Sequence, residues 1–246
     1  MQNKIAATLL SAVMFFAPVL SYGAQEVDKT KMSKAHRKAY DAALALYIDE
    51  GDGPRFTCST TVVGKNGGAY ALLTAGHCIA GDGQADGAKF YVTEEIVDKP
   101  VLQPVTVVRN ENDDKYDFAI LELDTAKDYP VMSIENRIPD VEDKVYTVNY
   151  SLGLAKQVAL GEVASAPITK GAADGRACDN SCVGRYLVHL FNGPGSSGAS
   201  VIDEKTNTIV GVVELGWNGA TVGTGVETTA SLVEWLALPA SAIPKA

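Results

Sequence analysis

From Phe56 onward, the chain is a succession of short apolar runs separated by clusters of Gly, Asp and Asn. The runs are rich in Val, Ile, Thr and Tyr, and they read TTVVG, YALLTA, PVTVVR, DFAILEL, KVYTVNY, RYLVHLF, ASVID and TIVGVVEL. Many short strands with turn residues between them are typical of an all-β sandwich or barrel. The last periodic segment, TASLVEWLAL at 229–238, predicts a C-terminal helix that ends before Pro239.

A segment with a different periodicity precedes these strands. Residues 31–48, KMSKAHRKAYDAALALYI, are rich in helix formers, and Tyr40, Leu44 and Tyr47 recur at helical spacing. We predict one helix over 31–48, ended by the GDGP sequence that follows it. Residues 25–50 are then either an N-terminal helical part of the mature domain or a propeptide.

The first 24 residues have the features of an export signal. Lys4 gives a positive start, residues 5–20 are almost entirely apolar, and Ala24 ends a run of small residues suited to cleavage. A membrane anchor is the alternative, but the apolar run is short for a span and contains Pro18. We therefore predict a signal peptide over 1–24 and a secreted or periplasmic protein.

The rest of the chain fits one domain, which we assign to residues 51–246. The formal net charge of the full chain is −9. An acidic chain repels phosphate backbones and anionic lipid surfaces, so we expect neither nucleic acid nor a membrane as a partner. No later segment is long and apolar enough to span a bilayer, and we expect no stable membrane insertion.

The chain contains four cysteines, which are Cys58, Cys78, Cys178 and Cys182. After export, an even number of cysteines favours disulfides, and four cysteines allow three pairings. We favour Cys58–Cys78 and Cys178–Cys182, with one bridge in each half of the domain. A zinc site is the alternative, but it requires reduced thiolates, which an exported protein rarely keeps. We expect no metal.

The segment NGPGSSGAS, residues 192–200, holds three serines among glycines. A serine nucleophile needs a nearby base, and the histidines of the chain are His36, His77 and His189. All three precede the serines, which excludes the α/β-hydrolase order of serine, acid and histidine. His36 lies on the predicted helix and His189 alternates with apolar residues on a predicted strand. His77 is therefore the candidate base.

His77 stands in ALLTAGHCIA, where an apolar run ends in Thr-Ala-Gly. The acid that orients such a histidine is a buried carboxylate. Asp117 opens the apolar run FAIL, whereas Asp113 and Asp114 lie in a polar turn, so Asp117 is the candidate. Taken alone, His77 could merely lie beside a structural disulfide, and Asp117 could merely cap a strand.

The order His77, Asp117, Ser197 is the order found in chymotrypsin. The motifs TAGHC, DFAIL and GSSG together resemble those of the trypsin/chymotrypsin-like serine proteases, and PGSSGAS is similar to the nucleophile segment of HtrA-type bacterial members. The similarity extends from Phe56 to Leu238. This resemblance implies an all-β fold of two six-stranded antiparallel β-barrels, with the active site between them, a short N-terminal helix and a C-terminal helix.

The resemblance also implies roles for individual residues. Ser197 takes the place of the nucleophile, His77 that of the general base, and Asp117 that of the acid that orients the histidine. The backbone N–H groups of Gly195 and Ser197 take the place of the oxyanion hole. Such an enzyme needs no cofactor, and its partners are protein or peptide substrates.

Substrate preference follows from three further positions of the resemblance. Phe191, six residues before Ser197, stands at the pocket floor, where trypsin-like enzymes carry an aspartate. Gly216 and Gly225 match the two glycines of the pocket walls. Without a charge at the floor, cleavage after Arg or Lys is disfavoured, and we expect uncharged side chains before the cut.

Two positions depart from the family pattern. Ser196 stands where trypsin-type zymogens carry an aspartate that receives a new N-terminus, so we expect no activation of that kind. Glu214 stands where relatives carry a small polar residue against the catalytic aspartate. A carboxylate there is expected to repel Asp117, with one of the two acids pushed towards protonation.

The sequence therefore predicts a secreted serine endopeptidase that cleaves peptide bonds through an acyl-enzyme. Two alternatives remain at this point. One is a binding protein on the same fold that has lost catalysis, and the only feature that favours it is Glu214. The other is an esterase that uses the same acyl chemistry. No feature of the sequence demands an oligomer, and we expect a monomer.

Overall fold

The structure is a computed structural model, and it describes residues 28–80, 87–113, 115–169, 183–216 and 224–237. The predicted signal peptide lies outside these ranges. Cys178 and Cys182 also lie outside them, so their pairing stays a prediction. Within the described ranges, no helix has the length and apolar character needed to cross a bilayer.

The first six strands close into one barrel, in which every neighbouring pair is antiparallel. Their spatial order is β1-β2-β3-β6-β5-β4. The strands are β1 (Ala43–Asp49), β2 (Arg55–Asn66), β3 (Ala69–Thr74), β4 (Lys89–Thr93), β5 (Gln103–Asn112) and β6 (Asp117–Asp124). A single-turn 3-10 helix, Gly76–Cys78, follows β3 at the open end of the barrel.

The other six strands close into a second antiparallel barrel of order β10-β11-β12-β9-β8-β7. They are β7 (Lys144–Asn149), β8 (Gln157–Val163), β9 (Tyr186–His189), β10 (Ser200–Asp203), β11 (Ile209–Gly216) and β12 (Thr224–Thr228). Closure leaves neither barrel with an unpaired edge. The predicted architecture of two six-stranded antiparallel barrels is confirmed.

The N-terminal helix is shorter than the sequence analysis predicted. Helix α1 covers Lys34–Ala42, with Ser33 as its N-cap, and the chain continues directly into β1, Ala43–Asp49. The prediction of one helix over 31–48 was therefore wrong in its second half. Strand β1 is hydrogen-bonded on both sides, to β2 and to β4, and residues 43–48 are buried. Tertiary burial on both faces outweighs the helix propensity of this segment.

The C-terminal helix, α2 (Thr229–Ala237), follows the second barrel but packs on the first. The ring of Trp235, which is fully buried, lies 5.7 Å from the ring of Phe118, measured between centroids. The guanidinium of Arg109 lies 4.1 Å above the Trp235 ring. Since Phe118 directly follows Asp117, the helix supports the strand that carries the candidate acid.

Candidate active site

His77 and Asp117 meet at the open end of the first barrel. The His77 backbone N–H donates to Asp117 Oδ1 at 2.6 Å, and the His77 Nδ1 atom lies 2.7 Å from Asp117 Oδ2. The Asp117 side chain is only 3% exposed, whereas that of His77 is 35% exposed. A carboxylate can only accept, so Nδ1 carries the hydrogen and Nε2 is left with a lone pair.

The glycine before His77 explains how the histidine reaches the acid. A Cβ on Gly76 would lie 1.8 Å from the carbonyl oxygen of Glu111 on β5 and 3.0 Å from Asp117 Oδ1. The first distance is far too short for any Cβ atom, so only glycine allows this close approach. The glycine of the TAGHC motif thus brings the 3-10 turn against β5 and β6.

A disulfide joins Cys58 on β2 to Cys78 in the turn, with a distance of 6.2 Å between the Cα atoms. Of the two pairings that the sequence analysis favoured, this one is present. The ligand atoms of Cys58, Cys78 and His77 lie within 4.8 Å of one another. Because both sulfurs are bonded to each other, they offer no thiolate to a metal, and the cluster does not fit a zinc site.

The three serines of the glycine-rich segment differ in environment. Ser196 is buried, and its Oγ accepts a hydrogen bond from the Gly193 N–H at 3.1 Å. Ser200 is buried at the start of β10. Ser197 is half-buried, and its Oγ donates to the carbonyl oxygen of Glu214 at 3.4 Å. Ser197 is therefore the serine of the three whose hydroxyl a substrate can reach.

Two glycines allow this segment to dock on the first barrel. Gly195 and Gly198 have φ values of +92° and +81°, a region that favours glycine. A Cβ on Gly198 would lie 2.0 Å from Thr74 Oγ1 and 2.3 Å from the Ser59 carbonyl oxygen. Thr74 ends β3, three residues before His77. The contact at Gly198 thus sets the serine beside the segment that carries the histidine.

Ser59 on β2 links the two barrels at the same place. Its backbone N–H donates to the Ser197 carbonyl oxygen at 2.9 Å, and its side-chain Oγ donates to the Gly195 carbonyl oxygen at 2.8 Å. The Ser59 Oγ also accepts from the Tyr150 N–H at 3.1 Å. Ser59 is next to Cys58, so the disulfide and the serine segment are held by consecutive residues. No local pattern marks Ser59 in the sequence, because its partners lie about ninety residues or more away along the chain.

The backbone donors that the resemblance assigned to an oxyanion hole are available. Within the described ranges, the Ser196 N–H donates to the Gly193 carbonyl oxygen, and the Gly198 N–H donates to the Val213 carbonyl oxygen. Those of Gly195 and Ser197 are donated to no atom of the described chain. Two N–H groups without an acceptor among the described residues are the kind of donors that a developing oxyanion requires.

Glu214 has a partner that the sequence did not reveal. Its Oε1 accepts from Arg185 Nη2 at 2.7 Å, and its Oε2 accepts from Arg185 Nε, so the guanidinium binds both carboxylate oxygens. The side chains are 4% exposed for Arg185 and 8% exposed for Glu214. Burial raises the pKa of Glu214, Arg185 opposes this, and the charge of Asp117 adds to the increase. The expected repulsion from Asp117 is therefore present, but Arg185 offsets it.

The ionisation of His77 reflects its two acidic neighbours. Burial lowers the pKa of His77, but the hydrogen bond and charge of Asp117, with a smaller contribution from Glu214, outweigh burial and raise it. Each carboxylate stabilises the imidazolium form. This is the direction that a general base requires if it is to hold a proton transiently during catalysis.

The positions predicted to bind substrate lie on and after the strands of the second barrel. Gly216 ends β11, where it pairs with Thr224, and Gly225 on β12 pairs with Leu215. Phe191 follows β9, and 60% of its surface is exposed. The two glycines thus lie on neighbouring strands, while the Phe191 ring is open to solvent.

The family model of the trypsin-like peptidase domain matches residues 58–212. The chain belongs to this family and is a trypsin-like serine endopeptidase. No curated protein sequence matches the chain.

Solved structures of serine proteases share the fold. The inactive form of Rv3671c from M. tuberculosis H37Rv, a serine-to-alanine mutant, has a TM-score of 0.63 and 17% identity, over 87% of this chain and 93% of that one. The serine endoprotease from Yersinia pestis has a TM-score of 0.60 and 18% identity. The HtrA-type protease AlgW, solved with a decapeptide, has a TM-score of 0.58 and 18% identity. The match to the Yersinia pestis endoprotease covers 82% of this chain, and the match to AlgW covers 80% of it. Each match covers 64% of the other protein's chain.

Proposed function

We propose that the protein is an exported serine endopeptidase whose catalytic triad is His77, Asp117 and Ser197. The observation that carries the proposal is the close packing of Gly198, the residue after Ser197, against Thr74, which lies three residues before His77 of the hydrogen-bonded His77–Asp117 pair. Ser197 is also the half-buried serine of the three, whereas Ser196 and Ser200 are buried. No metal or cofactor is needed for acyl transfer of this kind.

The proposed reaction begins with the rotation of the Ser197 hydroxyl. In the resting enzyme its Oγ donates to the Glu214 carbonyl at 3.4 Å, which is a long and weak hydrogen bond. When the hydroxyl turns to Nε2 of His77, the imidazole takes the proton while Oγ attacks the scissile carbonyl. Asp117 stabilises the imidazolium that forms, and the N–H groups of Gly195 and Ser197 bind the oxyanion.

The tetrahedral intermediate then collapses to an acyl-enzyme on Ser197. The His77 imidazolium gives its proton to the leaving amine, and the peptide bond breaks. Water, deprotonated by His77, hydrolyses the ester and restores the serine. Proteins or peptides are the substrates in this proposal, with uncharged residues before the cut, because Phe191 supplies no charge to attract Arg or Lys.

We also propose that the mature enzyme keeps residues 34–49. Strand β1 closes the first barrel, and α1 packs on the second barrel, where Lys156 Nζ donates to the Tyr40 carbonyl oxygen at 2.8 Å. The His36 ring also lies 4.5 Å from that of Tyr146. Removal of residues 25–50 as a propeptide would open the first barrel. This supports processing ahead of residue 34, as at the predicted cleavage site after Ala24.

The proposal is tested by labelling the purified exported protein with a fluorophosphonate and locating the adduct by mass spectrometry. We expect one adduct, on Ser197, which disappears when His77 is replaced by Ala. The intact mass of the same sample should correspond to a chain that begins near residue 25. An adduct on Ser196, or no adduct on folded protein with its disulfide intact, would contradict the proposed triad and favour a binding protein on this fold.

The raised pKa of His77 predicts the pH dependence of the reaction. Catalysis requires neutral His77, so kcat/KM should rise with pH through a midpoint above about 6.5, the usual pKa of histidine. The His77–Asp117 pair should stabilise the fold fully below that value, and this stabilisation should be lost as the pH rises through the raised pKa. Rates on a small uncharged ester between pH 5 and pH 9 measure the midpoint. A midpoint well below 6.5 would contradict the assignment.

A further inference from the structure

The ion pair between Arg185 and Glu214 lies on the side of the active site formed by the second barrel. Arg185 immediately precedes β9, and Glu214 lies in β11 at an irregularity, where the pairing with β12 shifts between Val213 and Leu215. Both side chains are almost fully buried, and the guanidinium grips both carboxylate oxygens. A bidentate pair of this kind fixes the carboxylate in position and orientation.

The backbone around Glu214 is bonded directly to the serine segment. The Val213 carbonyl oxygen accepts from the Gly198 N–H at 2.7 Å, and the Val213 N–H donates to the Ala199 carbonyl oxygen at 2.8 Å. The next carbonyl, that of Glu214, accepts from Ser197 Oγ. Any displacement of Glu214 would therefore move the acceptor that holds the resting hydroxyl.

The charge of Glu214 also interacts with those of His77 and Asp117, the two members of the proposed triad besides Ser197. It contributes to the raised pKa of His77, and Asp117 in turn contributes to the raised pKa of Glu214. The charged groups that act on Glu214 are Arg185, Asp117 and His77. Those that act on His77 are Asp117 and Glu214. Arg185 is thus the cation that compensates Glu214, whose charge acts on His77 alongside that of Asp117.

We propose that Arg185 is a positioning residue of the active site, which acts by holding the Glu214 carboxylate. Through this contact it fixes the carbonyl that binds the Ser197 hydroxyl and balances the negative charge beside His77 and Asp117. The inference rests on the proposed function. Without the guanidinium, a buried carboxylate would be left without its ion-pair partner, and a buried charge in that state is much more costly than either the pair or two neutral groups.

The test compares Arg185→Met, Glu214→Gln, the double variant Arg185→Met/Glu214→Gln, and Arg185→Lys. The substrate is a small uncharged chromogenic ester, for which kcat and KM are measured between pH 5 and pH 9. Arg137→Met is the matched control, because Arg137 also pairs with a nearly buried carboxylate of the second barrel, that of Asp203. It reports the effect of losing a guanidinium from such a pair in general.

Arg185→Met should lower kcat by about tenfold or more at pH 7.5 while KM changes little. Replacing Glu214 by Gln in that background removes the uncompensated charge and should recover most of the loss. Arg185→Lys keeps the positive charge but cannot bind both carboxylate oxygens as the guanidinium does, so its kcat should lie between those of wild type and Arg185→Met. Arg137→Met should leave kcat within about threefold of wild type.

The proposal would be overturned if the losses of the two single variants simply added in the double variant, because independent effects do not give a rescue. It would also be overturned if Arg137→Met lowered kcat as much as Arg185→Met. A second measurement covers the case in which Arg185→Met does not fold. The His77 imidazole is titrated by NMR in wild type and in Glu214→Gln, and its midpoint should fall in the variant, since a negative charge is removed. An unchanged midpoint would contradict the coupling.

The two proposals fail separately. If the fluorophosphonate does not label Ser197 in the wild-type protein, the proposed function fails, whatever the imidazole titration gives. If Ser197 is labelled but Arg185→Met is as active as wild type, the triad stands and the role of Arg185 fails. The NMR titration needs no turnover, so it tests the charge coupling in either case.

Discussion

Replacing Ser197 by Ala is expected to lower kcat by a factor on the order of 10⁶, because covalent catalysis is lost while the fold is kept. The Ser197 hydroxyl makes one long hydrogen bond, to the Glu214 carbonyl, so its removal costs little stability. Turnover of a small ester and of a peptide, measured side by side, would show the loss for both substrates. The peptide-to-ester ratio in the wild-type protein separates an endopeptidase from an esterase.

Ser196→Ala is the matched control for this experiment. The Ser196 side chain is buried and accepts from the Gly193 N–H, so its removal should cost about 1 kcal/mol of stability but leave most of the activity. Ser196→Ala should therefore unfold at a lower temperature while it keeps its turnover, whereas Ser197→Ala should lose its turnover while it keeps its unfolding temperature. An inactive Ser196→Ala together with an active Ser197→Ala would show that the nucleophile is assigned to the wrong serine.

Asp117→Asn is expected to lower kcat by a factor on the order of 10⁴, because it holds His77 in the wrong tautomer. The backbone N–H of His77 donates to Oδ1, so an amide in this position must keep its oxygen there. Its NH₂ group then faces Nδ1, where it can only donate. The imidazole hydrogen is forced onto Nε2, which can no longer accept the proton of Ser197.

Asp113→Asn is the control for this substitution. Asp113 Oδ1 accepts from the N–H groups of Lys115 and Tyr116 at 2.7 Å each, and an amide oxygen can accept the same bonds. Turnover by this variant should remain close to that of wild type. Steady-state rates for both variants, taken at the pH optimum, check the prediction; an Asp117→Asn variant with near-normal kcat would show that Asp117 does not orient the base.

Local sequence was sufficient wherever neighbouring residues carried the information. The TAGHC motif places His77 one residue after a glycine that only a close backbone approach explains, and it places Cys78 next to the histidine. The alternation of short apolar runs with turn residues predicted an all-β sandwich or barrel, since each strand shows its own pattern, and the resemblance of the motifs narrowed this to two barrels. These features need a few consecutive residues to be recognised.

The first strand shows where the local pattern was misleading. Residues 43–48, ALALYI, contain good helix formers, and by spacing alone they continue the helix that ends at Ala42. They form a strand because β2 and β4 pair with them on both sides and bury both faces. A segment buried all round gives no alternation, so periodicity could not separate the two structures.

Glu214 shows what long-range contacts add. The sequence placed the Glu214 carboxylate next to the predicted catalytic acid, Asp117, and indicated no cation that would compensate its charge. Its partner, Arg185, is 29 residues away along the chain, and Ser59 is more than 130 residues from the serine segment that it holds. Neither pairing leaves a local signature.

The sequence by itself determined the class of fold, the order of the candidate triad and the glycines that let the serine segment turn. Only the tertiary structure decided that Ser197 is the accessible serine of the three, that β1 belongs to the first barrel, and that Arg185 neutralises Glu214. The physical reason is that burial and charge compensation depend on which side chains meet across the barrels. Residues far apart in the chain make those contacts, whereas strand patterns and turn residues act between neighbours.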